Sequence, residues 1–174
     1  FKINKNTKIK KYNYFPKTKD ELKELLEQLI EERGNKGDFN DIDTSEIIDM
    51  SELFYWTPFN GDISKWNVSN VENMSFMFGK SEFNQDISNW NISNVEVMEG
   101  MFYATKFNQD ISRWDVSNVT NMHGMFSNSK FNQDISKWDV SKVKDMANMF
   151  AWCESFNQPL NEWDVSNVED MEYM

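Results

Sequence analysis

The dipeptide Phe-Asn returns at Phe59, Phe83, Phe107, Phe131 and Phe156, at spacings of 24, 24, 24 and 25 residues. A tryptophan follows each phenylalanine by seven residues, at Trp66, Trp90, Trp114, Trp138 and Trp163. The full unit reads F-N-Q-D-I-S-x-W-[ND]-[VI]-S-[NK]-V-x-x-M-x-x-M-F. A fixed period of this kind leaves a chain little freedom, because one unit cannot bury its own apolar face and neighbours must stack to share a core. The one extra residue falls within Ala151 to Ser155, between the last apolar position of one unit and the phenylalanine of the next, where a loop absorbs it.

Two apolar spacings sit inside each unit. Ile87, Trp90 and Ile92 follow L-x-x-L-x-L, the strand signature of leucine-rich repeats. Val95, Met98, Met101 and Phe102 are then spaced by three, three and one, which places them on one face of a short helix. Ser93 with Glu96, Ser69 with Glu72 and Ser166 with Glu169 have the spacing of helix capping boxes. The expectation is an α/β solenoid, a leucine-rich-repeat-like right-handed coil of 24-residue strand-plus-short-helix repeats. Its tryptophans should form one ladder, and its methionines with Phe78, Phe102, Phe126 and Phe150 a second.

The start of the chain reads differently. Leu22, Leu25, Leu26, Leu29 and Ile30 make an i, i+3, i+4, i+7, i+8 stripe ending at Gly34, so a capping helix is expected over about 18–33. Residues 41–50 align with 65–74 as a degenerate first repeat. The expected organisation is a basic tail over 1–15, the cap and degenerate repeat over 16–58, and the repeat array over 59–174, whose last unit stops short at Met174.

Charge narrows the partners. The net charge is −11, yet residues 1–20 hold seven lysines against Asp20, so the remainder carries about −17 by difference. Such a body repels phosphate backbones, and no nucleic-acid partner is expected. No apolar run reaches 18 residues, so membrane attachment would come only through an anchor outside these residues. Cys153 is the single cysteine, which excludes an internal disulfide framework.

The strings F-N-Q-D-I-S-N-W-N-I-S-N-V (Phe83 to Val95) and F-N-Q-D-I-S-R-W-D-V-S-N-V (Phe107 to Val119) resemble the repeats of BspA-like leucine-rich-repeat surface proteins and of mycoplasma surface lipoproteins. P-K-T-K-D-E-L-K-E-L-L (Pro16 to Leu26) and D-I-D-T-S (Asp41 to Ser45) resemble the start of such repeat regions. The resemblance spans about residues 16–174. It implies a cell-surface or secreted protein of adhesive, host-contact type, with no general catalytic motif and no single ligand.

Few residues invite chemistry, and no catalytic residue, resident metal or cofactor is expected. Asp62, Asp86, Asp110 and Asp134 stack in the repeat; they serve either to hydrogen-bond turn backbone or, with Gln85, Gln109 and Gln133, to cage calcium, the former preferred. Each M-x-x-M pair reads as core packing. His123 has no second histidine and occupies a variable, exposed slot. Cys153, in the inserted loop and without a histidine partner, reads as a buried small residue or a free thiol. Trp152 and Tyr55-Trp56-Thr57-Pro58 lie in inter-unit loops as binding anchors or as packing, evenly balanced.

Strand alternation points two columns outward: Lys65, Asn89, Arg113, Lys137 and Glu162 in one, and Asn67, Asn91, Asp115, Asp139 and Asp164 in the other. The functional expectation is a non-catalytic binding or adhesion module that recognises a protein or glycan, for instance on a host surface, through these columns on the strand-lined face. The alternative is a stalk that presents another domain.

Overall fold

A computed structural model describes residues 11–174. Most of the basic tail expected over 1–15 lies outside the described residues.

One element of regular structure is present among them. Helix α1 spans Lys19–Arg33. It starts where Thr18 Oγ1 accepts a hydrogen bond from the Glu21 amide at 3.2 Å, and it stops at Gly34, whose φ of 74° suits a residue without a side chain. Leu22, Leu26 and Leu29 point into the continuous apolar core that runs through the repeats. Lys19 donates to Ser51 Oγ, which ties the helix to the first repeat. Arg33 clamps the far end by donating to both carboxylate oxygens of Asp41, at 2.7 and 3.1 Å, and to the Asp38 carbonyl.

The repeats overturn the expected fold class. The described residues contain no β-sheet and no helix beyond α1, so the chain is not an α/β, leucine-rich-repeat-like right-handed solenoid of strand-plus-helix units. Each 24-residue unit is a layer built from tight turns. Layers touch through single-residue parallel bridges, Asp49 to Asn73 to Val97 to Asn121 to Asp145 to Asp170.

The reason lies in where the backbone amides go. In the segment expected to be helical, alternate amides cross to the next layer: Met98 donates to the Asn121 carbonyl, Gly100 to His123, Phe102 to Met125 and Ala104 to Ser127, at 2.8–3.0 Å. Between them, Met101 donates back to the Met98 carbonyl and Tyr103 to Gly100, closing four-residue turns. A helix would send each of these amides to the fourth residue before it within its own unit. The turns need left-handed residues at regular places: Phe76, Gly100, Gly124 and Asn148 have φ of 52–58°, as do Lys80, Ala104, Asn128 and Trp152 at 54–59°. The serines of the expected capping boxes have another task, since the Ser93 amide donates to Asn91 Oδ1 and the Glu96 amide to the Glu72 carbonyl one layer away.

The segment expected to be a strand fails for a related reason. Trp90 donates its amide to the Ile87 carbonyl and Val95 to that of Ile92, so two tight turns occupy nine residues and no extended run survives. Side chains replace the missing backbone ladder. The indole N–H of Trp66, Trp90, Trp114, Trp138 and Trp163 donates to the carbonyl of Phe39, Ile63, Ile87, Ile111 and Ile135 in the layer before, at 3.0–3.2 Å. Asn84, Asn108 and Asn132 accept the amide of the next layer's asparagine, and Gln109 and Gln133 donate back to Asn84 and Asn108.

The core is a double column of phenylalanines. Phe78, Phe102 and Phe126 stack from layer to layer at 5.7–5.8 Å, and Phe83, Phe107 and Phe131 at 6.2–6.4 Å. Within a layer the two columns meet, Phe102 lying 4.0 Å from Phe107 at 12°. Such pairs add about 0.5–1.5 kcal/mol each beyond burial. Two substitutions separate the contributions. Phe102→Ala, at the crossing of both columns, should lose about 3–5 kcal/mol in urea unfolding. Trp114→Phe keeps an apolar ring but orphans the Ile87 carbonyl and should lose about 1–3 kcal/mol.

Candidate functional site

Both expected outer columns are exposed. Lys65, Asn89, Arg113, Lys137 and Glu162 alternate with the buried tryptophans, and Asn67, Asn91, Asp115, Asp139 and Asp164 follow them. The inside-outside alternation therefore holds along this stretch without a strand to produce it. The columns differ in what they have free. Every member of the second accepts, through Oδ1, the amide of the serine two residues on: Ser69, Ser93, Ser117, Ser141 and Ser166, at 3.0–3.2 Å. Its oxygens hold turns. Among the described residues the first column holds no turn, and its one ion pair is Lys137 with Glu162 in the neighbouring layer, at 2.5 Å. Arg113 and Asp115, and likewise Lys137 and Asp139, stand in adjacent columns two residues apart in sequence but make no ion pair among the described residues.

The Q-D-I-S aspartates act in the same way. Asp62, Asp86, Asp110 and Asp134 accept the amides of Ser64, Ser88, Ser112 and Ser136 at 2.9–3.0 Å. The serine amide, and then its hydroxyl, hold the carboxyls of Asp86, Asp110 and Asp134 below the ordinary aspartate range. No group of three or more acidic, histidine or cysteine side chains is placed to hold a metal ion among the described residues. The three glutamines are engaged with the asparagine ladder, Gln85 through Asn60. Cys153 is buried, with Sγ 3.4 Å from Ser129 Oγ.

A hollow of about 690 Å³ lies elsewhere, about half a repeat along the chain from the columns. It exists because side chains are missing. The column Phe76, Gly100, Gly124, Asn148 loses its bulk at the two glycines, and the column Tyr103, Ser127, Ala151 loses it after the tyrosine. Phe76 leans over Gly100, where a Cβ would meet its ring at 2.2 Å. Gly124 is different, because a Cβ there would meet nothing nearer than Ser127 Cβ at 3.9 Å. Packing thus accounts for the first glycine and leaves open space above the second.

Trp152 forms the opposite wall and is 82% exposed. His123 lines the hollow half-buried, with Nδ1 3.5 Å from Asp145 Oδ1. The sequence marked Trp152 as an anchor candidate, but the hollow beside it left only a faint trace, glycine, serine and alanine where other units carry phenylalanine or tyrosine. The second marked loop has a different fate: Trp56 is 76% exposed, with the Lys80 ammonium 5.2 Å from its ring centroid and 5.8 Å from that of Tyr55.

The 24-residue repeat is also what a family model matches. That of "Mycoplasma protein of unknown function, DUF285" matches residues 21–130 and 106–174, overlapping as repeated units allow. The chain belongs to the DUF285 family. The match to this DUF285 repeat covers the layered residues and most of α1. No curated protein and no solved structure matches the chain.

The serine-capped turns of Asp86, Asp110 and Asp134 give a pH dependence with a fixed sign. Their carboxyls sit below the ordinary aspartate value of about 3.9 when folded, so their contribution is full above that value and is lost as pH falls through the lower folded values. Urea midpoints should therefore hold between neutral pH and about pH 4 and drop below it. Asp110→Ala should lower Tm by about 2–4 °C at pH 7, whereas Asp110→Asn, which keeps the acceptor oxygen, should restore most of that.

Proposed function

We propose that this chain is a non-catalytic binding or adhesion module, displayed at the cell surface or secreted, that recognises a protein or glycan partner through its exposed columns. The observation that carries the reading is the contrast between the inside of the layers and the first outer column. Phenylalanine, tryptophan and methionine repeat almost unchanged inside, while Lys65, Asn89, Arg113, Lys137 and Glu162 vary in charge from one layer to the next. Layer stacking holds these side chains on a rigid surface, the arrangement by which repeat proteins gain extended contact area. The likeness to BspA-like surface proteins, and membership of a Mycoplasma repeat family, support a place outside the cell. No helix among the described residues is long and apolar enough to cross a membrane.

The non-catalytic part of the proposal is supported by the state of the carboxylates. The aspartates that recur in the layers are acceptors for serine amides, which leaves them poor candidates for a paired acid and base. The second column contributes contact surface from side chains already fixed by their turns, which lowers the entropy lost on binding.

The test must spare those turns. Arg113→Ala and Lys137→Ala, combined with Asp115→Asn and Asp139→Asn, remove the charges while keeping the turn-holding oxygens. Labelled chain carrying the four changes should bind cultured animal cells at least tenfold more weakly, with an unchanged Tm. Equal binding by the altered and unaltered chains would reject the columns as the contact surface.

A further inference from the structure

We propose that the hollow between Phe76 and Trp152 is a binding site for a neutral saccharide. This deepens the reading of the chain as a binding module and rests on it, but it concerns a different surface from the two charged columns.

Four features lead to this ligand. The first is the frame. Trp152, the most exposed aromatic side chain among the described residues, stands at one end of a hollow whose other end is closed by Phe76 and Tyr103. A pyranose ring presents C–H groups on its faces, which pack on an indole, and hydroxyls around its rim. The second is the lining between the aromatics. Asn128 and Asn148 line the hollow, and their side-chain amides make no hydrogen bond among the described residues, unlike Asn84, Asn108 and Asn132, which are engaged with neighbouring layers. An amide both donates and accepts, which is what a ring of hydroxyls requires.

The third feature is charge. Lys130 and Glu154 bring one charge of each sign to the rim, and the whole chain carries −11. A sulfated or sialylated glycan would meet that field as repulsion, and a neutral sugar would not. The fourth is the backbone. Gly100, Gly124 and Asn128 donate their amides to the next layer, so an extended peptide finds no free edge to pair with here. Recognition must come from side chains and shape. A volume of about 690 Å³ lies within the usual range for small-ligand sites.

Gly124 is the residue that makes the space, and its neighbour supplies the way to close it. Asn148 occupies the equivalent place one layer on, at φ 58°, so Gly124→Asn fits the same backbone conformation while filling the floor of the hollow. Trp152→Ala removes the platform from an exposed position and should not disturb the fold.

The experiment uses the full chain on an array of neutral oligosaccharides terminating in glucose, galactose, mannose or N-acetylhexosamine, with sialylated and sulfated oligosaccharides alongside. The expected result is binding to one or more neutral members, weakened at least tenfold by both Gly124→Asn and Trp152→Ala at unchanged Tm. Titration with the bound sugar should also blue-shift the Trp152 emission, a signal absent in Trp152→Ala. Retention of the same binding by the fourfold column variant supports the site as separate from the columns, and so distinguishes its failure from theirs. Absence of binding to every neutral member overturns the proposal. So does binding confined to sulfated or sialylated members, neutral-sugar binding that both variants preserve, or binding lost in the column variant and kept in Gly124→Asn.

Discussion

Everything in the layered part of this chain depends on alternate amides crossing between layers. Met98, Gly100, Phe102 and Ala104 donate forward, while Met101 and Tyr103 close turns within their own unit. Buried amides need partners, and this division supplies them without a strand or a helix. It also fixes the spacing at which the layers stand, and the aromatic stacks follow. Phe102 can lie 5.7 Å from Phe78 and 5.8 Å from Phe126 only because their backbones are hydrogen-bonded in register.

Side-chain ladders then do on the other side of each layer what the backbone does on this one. The indole N–H groups, the asparagine oxygens and the glutamine amides each bind one layer to the one before it. This division explains why the repeat keeps polar residues as well as apolar ones. Where Gln-Asp-Ile-Ser is complete, at 85–88, 109–112 and 133–136, it is structural, with the glutamine joining layers, the aspartate holding a serine amide and the isoleucine in the core. What remains for recognition is small: the first outer column, and the places where bulk is absent.

Helix α1 was legible in the sequence because its signals are local. Thr18, the leucine stripe and Gly34 each act on their own neighbourhood, and the observed Lys19–Arg33 agrees with the expected 18–33. The buried set of the repeats was legible too, since Phe, Trp, Ile, Val and Met recur with the period and face inward. The strand and short helix were misread. A spacing of three suits a helix face, but it suits a run of tight turns closed between residues three apart equally well, and L-x-x-L-x-L fits two tight turns as readily as a strand. Apolar spacing tells which side chains are inside; it does not tell which carbonyl an amide chooses. Lys80, Asn128 and Trp152 at positive φ carry no strong sequence mark, and Glu52, Phe76 and Asn148 share one position with glycines. The hollow was hidden for a different reason, because it is made by side chains that are not there.

The most direct measurement is of scalar couplings across hydrogen bonds in uniformly ¹⁵N,¹³C-labelled protein. The account predicts couplings from the Gly100 nitrogen to the His123 carbonyl carbon and from Phe102 to that of Met125. Couplings from Phe102 to the Met98 carbonyl carbon, the partner a helix would give it, would contradict the layered arrangement.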